Sequence, residues 1–486
     1  MLKQNIPENS GIPSEAILNF IEHLERRKIC LHSFMIIRRG EIAAEGYYPP
    51  FAADTLHRIY SQSKTFVAVA VGLLIDEGRL KLSDKAADYF PEHQPENMHE
   101  FIADATVRDL LMMATPYQST TYGVSDANWT QTFLNRAQSH RSGEIFIYDT
   151  SGTVMLNAIV ERITGKELLD YMRPKLLDKL GFSKNARCIE RPEGGAWGGS
   201  GVLCSTHDMA KFALFLLNKG SWNGEQLLSE EYINQATSAL IDNRLFSDSP
   251  ELQFGYGYQI WRTRNNGFAM VGMGSQLSVC VPDKDLILIT MADTQIIPQG
   301  TDIILDAFWT DVYAHITGKL PENPAALERL NNKLENLEFI PVDGKPTSQK
   351  SLDFSGRQYK LEPNRMNISD IQFIFEGGSG VMRYTNATGN HELKFGICRY
   401  ETGEFPETHY FGDKIGVPKG AGYKYKASGA WFNDDTLIIY LYIIDDYLGT
   451  LKINAKFNGS HITLSMRKVA EWFLNEYDGV AIGTCR

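Results

Sequence analysis

The stretch that most constrains this chain is Tyr60-Ser61-Gln62-Ser63-Lys64-Thr65-Phe66 and the apolar run that follows it to Ile75 and ends at Gly78. Its hydrophobic residues keep to no single face, which is the pattern of a helix buried on all sides, with Gly78 as its C-terminal stop. A buried helix is a rigid mount. Ser61 falls at its N-terminal end, where unpaired backbone N–H groups favour negative charge on the serine oxygen or on a substrate. Lys64 lies three residues on, hence on the same face and within reach. A desolvated lysine can lose its proton near neutral pH and take the proton of a serine hydroxyl.

Spacing alone is weak support, because a chain of this length holds roughly two Ser-x-x-Lys matches by chance. A second copy, Ser465-Met466-Arg467-Lys468, does occur. Its surroundings, Ile462-Thr463-Leu464-Ser465-Met466, alternate like a strand, where positions i and i+3 point to opposite faces. Only the first copy can bring serine and lysine together.

At 486 residues the chain exceeds one ordinary core, so two or three domains are expected. With 43% hydrophobic and 22% charged residues it has a globular balance. A formal charge of -11 without a basic run argues against nucleic acid and anionic membrane surfaces as partners. The longest apolar runs, residues 66–75 and 437–444, fall far short of the ~20 residues that cross a bilayer. Residues 1–13 are polar and lack a secretory pattern, so a cytoplasmic location is expected. Six scattered cysteines without a Cys-x-x-Cys spacing suggest neither zinc nor a disulfide framework, and no cofactor motif occurs.

Residues 17–28 have helical spacing, and residues 33–48 read as a hairpin about Arg39-Gly40. Residues 107–113 form a short helical stretch. Residues 115–128 are polar and turn-rich, a candidate rim over a cleft. An amphipathic helix follows Asp149, ended by Gly165, and Ser205-Thr206-His207-Asp208 caps another. Residues 194–201 are glycine-rich. Four strands are expected at residues 256–261, 268–271, 277–281 and 286–291. Strands at both ends with helices between predict one antiparallel sheet with an inserted helical lobe, over residues 1–320. Residues 321–349 read as a charged helix and linker. Residues 350–486 alternate almost throughout, with Asn458-Gly459 as a hairpin signal, and predict an all-β sandwich or small barrel.

Ser61-Gln62-Ser63-Lys64, then Gly72-Leu73-Leu74-Ile75-Asp76-Glu77-Gly78 and Leu82-Ser83-Asp84-Lys85, resemble the class C β-lactamase-like serine hydrolases. That family includes penicillin-binding-protein-like esterases, amidases and D-amino-acid peptidases. Val107-Arg108-Asp109-Leu110-Leu111-Met112 and Asp208-Met209-Ala210-Lys211-Phe212 continue the resemblance in order, over roughly residues 12–318. It implies the α/β (α+β) penicillin-recognising fold and an acyl-enzyme on Ser61.

The family's second element, a tyrosine two residues before an asparagine, is matched by Tyr148-Asp149-Thr150, with Thr150 in the asparagine position. Tyr148 is then a proton shuttle; read without the family, it is equally a tyrosine packed at a helix start. Thr150 offers one hydroxyl where an amide supplies donor and acceptor, which bears on substrate orientation. The third element, usually Lys-Thr-Gly or His-x-Gly, is filled by Met270-Val271-Gly272-Met273-Gly274-Ser275-Gln276. Gly272 and Gly274 match and the cation is replaced by Met270, which disfavours a carboxylate-bearing β-lactam or peptide and favours a small neutral ester or amide. The backbone N–H groups of Ser61 and Met273 are the expected oxyanion hole. Whether Lys64 or Tyr148 deprotonates Ser61 stays open. Two alternatives remain: a β-lactamase or D-amino-acid peptidase with Arg141, Arg262 or Arg264 as stand-in for the missing cation, and a non-catalytic binding protein.

Overall fold

The computed structural model describes residues 2–123, 125–246, 249–406, 415 and 422–485. It divides into two compact units, Met1–Glu338 and Phe339–Arg486. In the first, a six-stranded antiparallel sheet has the order Glu41–Tyr47, Leu31–Arg38, Leu286–Ala292, Gln276–Val281, Phe268–Gly272, Trp261–Arg262. The N-terminal hairpin turns at Arg39 and Gly40, both with positive φ, and pairs with the last strand. The first and last parts of the unit thus share one sheet, and the helices come from the segments between.

The helix that carries Lys64 spans Ser63–Asp76, and Gly78 follows its end with φ of +71°. Residues 63–74 are all buried, as expected of a sequence apolar on every side. Close approach is built in at Gly72, where a Cβ would lie 2.5 Å from the Tyr232 ring. The helix Thr150–Thr164 packs beside it, capped by the Asp149 carboxylate on Ser151 N at 2.8 Å and ended by Gly165 in the left-handed region. Thr206–Leu217 has the expected capping box between Ser205 and Asp208.

One expected strand is much shorter than its sequence pattern predicts. Residues 256–261 bend instead of pairing: Tyr256 bridges both Ile241 and Trp261, and Gln259 takes a φ of +56°. The bend puts the buried Gln259 amide onto the Leu110 and Leu111 carbonyls, each at 2.9 Å, so the strand is confined to Trp261–Arg262. Capping the end of the short helix Val107–Leu111 outweighs the local β preference of aromatic residues. Helix Pro324–Glu335 falls in the segment read as helix and linker; it belongs to the first unit, where Lys333 pairs with Glu25 at 2.6 Å.

The second unit is one ten-stranded sheet closed on itself. Among the described residues its order runs from Gly389–Ile397 through Gly479–Thr484 to Tyr423–Asn433 and ends on Glu401–Phe405, and Gly396 and Ile397 pair in parallel with Ser428 and Gly429 to complete a barrel. Its core mixes aliphatic residues such as Leu437, Ile439, Leu451 and Ile453 with aromatic pairs: Phe354 stacks on Phe457 at 4.6 Å and Phe375 tilts on Trp431 at 5.1 Å. The second Ser-x-x-Lys copy lies on the strand His461–Ala470, where Lys468 bonds the Phe473 carbonyl at 3.0 Å. Strand geometry separates it from Ser465.

Candidate active site

Ser61 sits in a single 3₁₀ turn, Tyr60–Gln62, that runs directly into the helix of Lys64. Tyr60, just before it, has a φ of +48°, costly for a residue with a side chain. The strain is held by burial and by the Arg58 guanidinium, 4.2 Å over the Tyr60 ring and 4.8 Å over that of Trp197. Gln62 on the far side is fixed by Ser278 Oγ at 2.7 Å, and Ser63 Oγ accepts from Val202 N at 3.0 Å. The serine is therefore held by both of its neighbours.

Lys64 is 1% exposed and its Nζ donates to Ser61 Oγ at 3.0 Å and to the Gly199 carbonyl at 2.6 Å. The i, i+3 spacing thus delivers the contact it implied. The Gly199 carbonyl was not legible in the sequence as a partner, although residues 194–201 stood out as glycine-rich. The structure gives the reason for the glycines. A Cβ on Gly198 would lie 2.4 Å from Val67, and one on Gly199 2.5 Å from the Thr150 methyl. Thr150 thus backs the loop that presents its carbonyl to Lys64, while its own N–H donates to Thr120 Oγ1 at 3.0 Å.

Tyr148 completes the group, with its ring centroid 5.1 Å from Lys64 Nζ. Burial pushes its phenol up to about 12, and a hydrogen bond with Ser61 opposes that shift. The phenol therefore keeps its proton throughout the neutral range. Behind it Asp149 is wholly buried, and desolvation raises its carboxyl above the usual range despite hydrogen bonds from Ser151 and Thr115 and the charge of Lys64.

The third element lies on the strand Phe268–Gly272 and the turn after it. Gly272 is required there, because a Cβ would lie 2.3 Å from the Ile59 carbonyl, two residues before the serine. Gly274 and Ser275 turn with φ of +77° and +67°, and Gln276 pins the turn by donating to the Met273 carbonyl at 2.8 Å and the Ala292 carbonyl at 2.6 Å. Among the described residues, neither Ser61 N–H nor Met273 N–H donates to another protein group. Met270 is 1% exposed and packs in the main core, whereas Val271 packs against the aromatic side chains beside Tyr148.

The arginine stand-ins are engaged elsewhere. Arg141 pairs with Glu100 at 2.8 Å, Arg262 donates to the Thr237 carbonyl and Asn266, each at 2.8 Å, and Arg264 pairs with Glu251. The expected rim, residues 115–128, includes Val124, which lies outside the described residues; Tyr117 to Gly123 with Arg136 line an open polar cleft of about 500 Å³. Among the described residues no cluster of His, Cys, Asp and Glu is arranged to hold a metal ion, and no helix is long and apolar enough to cross a membrane.

Upstream of the serine, His57 is fully buried between His32, whose Nδ1 lies 2.8 Å from His57 Nε2, and the Arg58 carbonyl, 2.9 Å from His57 Nδ1. Desolvation lowers it to about 4. An unfolded chain binds this proton below about pH 6.5, the folded chain only below about 4, so stability is full above 6.5 and falls as pH drops through that window. The loss expected by pH 4 is about 3 kcal/mol. Urea midpoints measured across this range are expected to fall with acid, and His57→Gln to flatten the dependence.

Residues 19–301 match the family model for beta-lactamase. The chain is similar to a 6-aminohexanoate-dimer hydrolase of Paenarthrobacter ureafaciens, 25% identical over 292 residues, which are 55% of this chain and 74% of the relative. Its fold is similar to that of a Bacillus anthracis protein described as a 6-aminohexanoate-dimer hydrolase, with TM-score 0.54 and 18% identity over 66% of this chain and 89% of the other. It is also similar to that of SurE, with TM-score 0.51 and 15% identity over 91% of this chain and 93% of the other. The matched segment carries Ser61, Lys64, Tyr148 and Gly272 alike, and the chain belongs to the beta-lactamase family.

Proposed function

We propose that this chain is a serine hydrolase of small esters or amides that works through an acyl-enzyme on Ser61. The observation that carries this reading is the 3.0 Å contact from a buried Lys64 Nζ to Ser61 Oγ, with Tyr148 in hydrogen-bond reach of the same oxygen. A relative named for hydrolysing a 6-aminohexanoate dimer supports the reaction type.

A hydroxyl becomes a nucleophile by giving its proton to a lone pair. In this reading the acceptor is Lys64 Nζ, 3.0 Å from Ser61 Oγ, whenever its amine is neutral, and Tyr148 is the donor. Ser61 Oγ bonds to the carbonyl carbon as its proton moves to Nζ. The carbonyl oxygen takes up negative charge facing the unengaged Ser61 and Met273 N–H groups. When the bond to the leaving group breaks, Tyr148 Oη supplies a proton to the departing oxygen or nitrogen and recovers one from Lys64. Water then attacks the acyl carbon, the bond to Ser61 breaks, and the serine regains its proton. Each group ends as it began.

With Met270 in the core and Arg141, Arg262 and Arg264 paired elsewhere, none of the expected cations stands ready for a substrate carboxylate, which favours a neutral substrate over a β-lactam or D-peptide. A non-catalytic binder would have no use for a buried lysine aimed at a serine. The test is the time course of a short-chain nitrophenyl ester: a burst of about one nitrophenolate per chain is expected where deacylation is the slow step. Linear release at the rate of the Ser61→Ala protein contradicts the reading.

A further inference from the structure

The ring of Tyr148 is one panel of an aromatic wall. Trp261 stacks on it at 5.5 Å with 23° between the planes, Phe246 lies at 5.6 Å, and Phe146 closes the group at 5.3 Å from Phe246 and 5.8 Å from Trp261. Val271, in the third element, packs on the same cluster. Wall and catalytic group therefore share a side chain.

The wall is exposed at one edge: Trp261 and Phe146 are 4% and 6% exposed, and solvent reaches Phe246. Phe246 is 43% exposed, and Ile145, Leu245 and Phe254 are 52%, 104% and 44% exposed. Among the described residues of the first unit these are the large hydrophobic side chains left exposed, and Ile145 and Leu245 adjoin the wall residues Phe146 and Phe246 in the chain. Exposed apolar surface gathered in one place marks a binding surface far better than scattered single residues do. The basic residues beside it are engaged: Arg244 with Asp242 at 2.5 Å, Arg262 with the Thr237 carbonyl at 2.8 Å, and Arg264 with Glu251.

Resting on the hydrolase reading above, in which Tyr148 supplies the leaving group's proton, we infer that this wall is the leaving-group subsite and that Phe246 makes it prefer apolar alkyl or aryl leaving groups. The atom protonated by Tyr148 Oη must lie at the end of that ring, so the chain attached to it leaves past the exposed neighbour of the ring, Phe246. Phe246 belongs to the loop side of the wall, and its ring neighbours are Phe146, Tyr148 and Trp261. Its effect is on which substrate is held.

The test is a series of acetate esters of straight-chain alcohols from ethanol to octanol. Alkoxide basicity is nearly constant along it, so rate differences report binding of the chain. Wild-type kcat/KM is expected to rise about two- to fourfold per added methylene until the chain outruns the wall. Phe246→Ala is expected to lower kcat/KM for octyl acetate about tenfold, mainly through KM, and that for ethyl acetate far less; Phe246→Leu restores much of the slope. Labelling of Ser61 by a fluorophosphonate together with a flat profile, no turnover across the series, or equal losses on both esters in Phe246→Ala overturns the subsite. Failure of a fluorophosphonate to label Ser61 overturns the hydrolase reading itself, and this inference with it.

Discussion

Replacing Lys64 with methionine is expected to lower ester turnover by about 10⁴-fold, the upper end of what a positioned base contributes. Methionine fills nearly the same volume, so the buried helix Ser63–Asp76 keeps its packing. What disappears is the acceptor for the Ser61 proton and the donor to the Gly199 carbonyl. The two consequences separate experimentally. Loss of the base lowers kcat with KM little changed, whereas collapse of the 194–201 loop would raise KM and lower the melting temperature. Retained turnover in a folded Lys64→Met protein would remove lysine from the mechanism.

Tyr148→Phe separates the acid from the base. A phenol held up to about 12 serves as a proton donor, and the need for one grows with the basicity of the leaving group. Nitrophenolate departs without help; an amine does not. The expected loss is therefore small on a nitrophenyl ester and about 10⁴-fold on an amide of the same acid. Equal losses on both would make Tyr148 a positioning residue, holding Ser61 by its hydrogen bond without passing a proton. Phenylalanine preserves the stack on Trp261, so lost packing does not explain a leaving-group dependence.

The parts of this site that were legible in the sequence are those whose geometry is local. Ser61 and Lys64 meet because three residues along a helix return a side chain to the same face, and the same spacing on the strand of Ser465 does not. Alternation gave the all-β character of the C-terminal unit, and the parallel pairing of Gly396 with Ser428 decides that it closes as a barrel. Partners that act through the backbone left almost no trace. The Gly199 carbonyl has no residue identity to read, only the need for glycine where Val67 and Thr150 crowd the loop. Gln259 was hidden inside what looked like a strand, because its role as a strut from Thr153 Oγ1, at 2.6 Å, to the Leu110 carbonyl depends on three distant segments. The aromatic wall was hidden for the same reason: Phe146, Phe246 and Trp261 are far apart in the chain and ordinary in composition.

The most direct measurement is the intact mass of the protein after exposure to a fluorophosphonate, taken on the natural chain and on Ser61→Ala. The account predicts one phosphonyl adduct on the natural chain, located to Ser61, and none on the variant. No adduct on either, or an adduct that persists in Ser61→Ala, would contradict it.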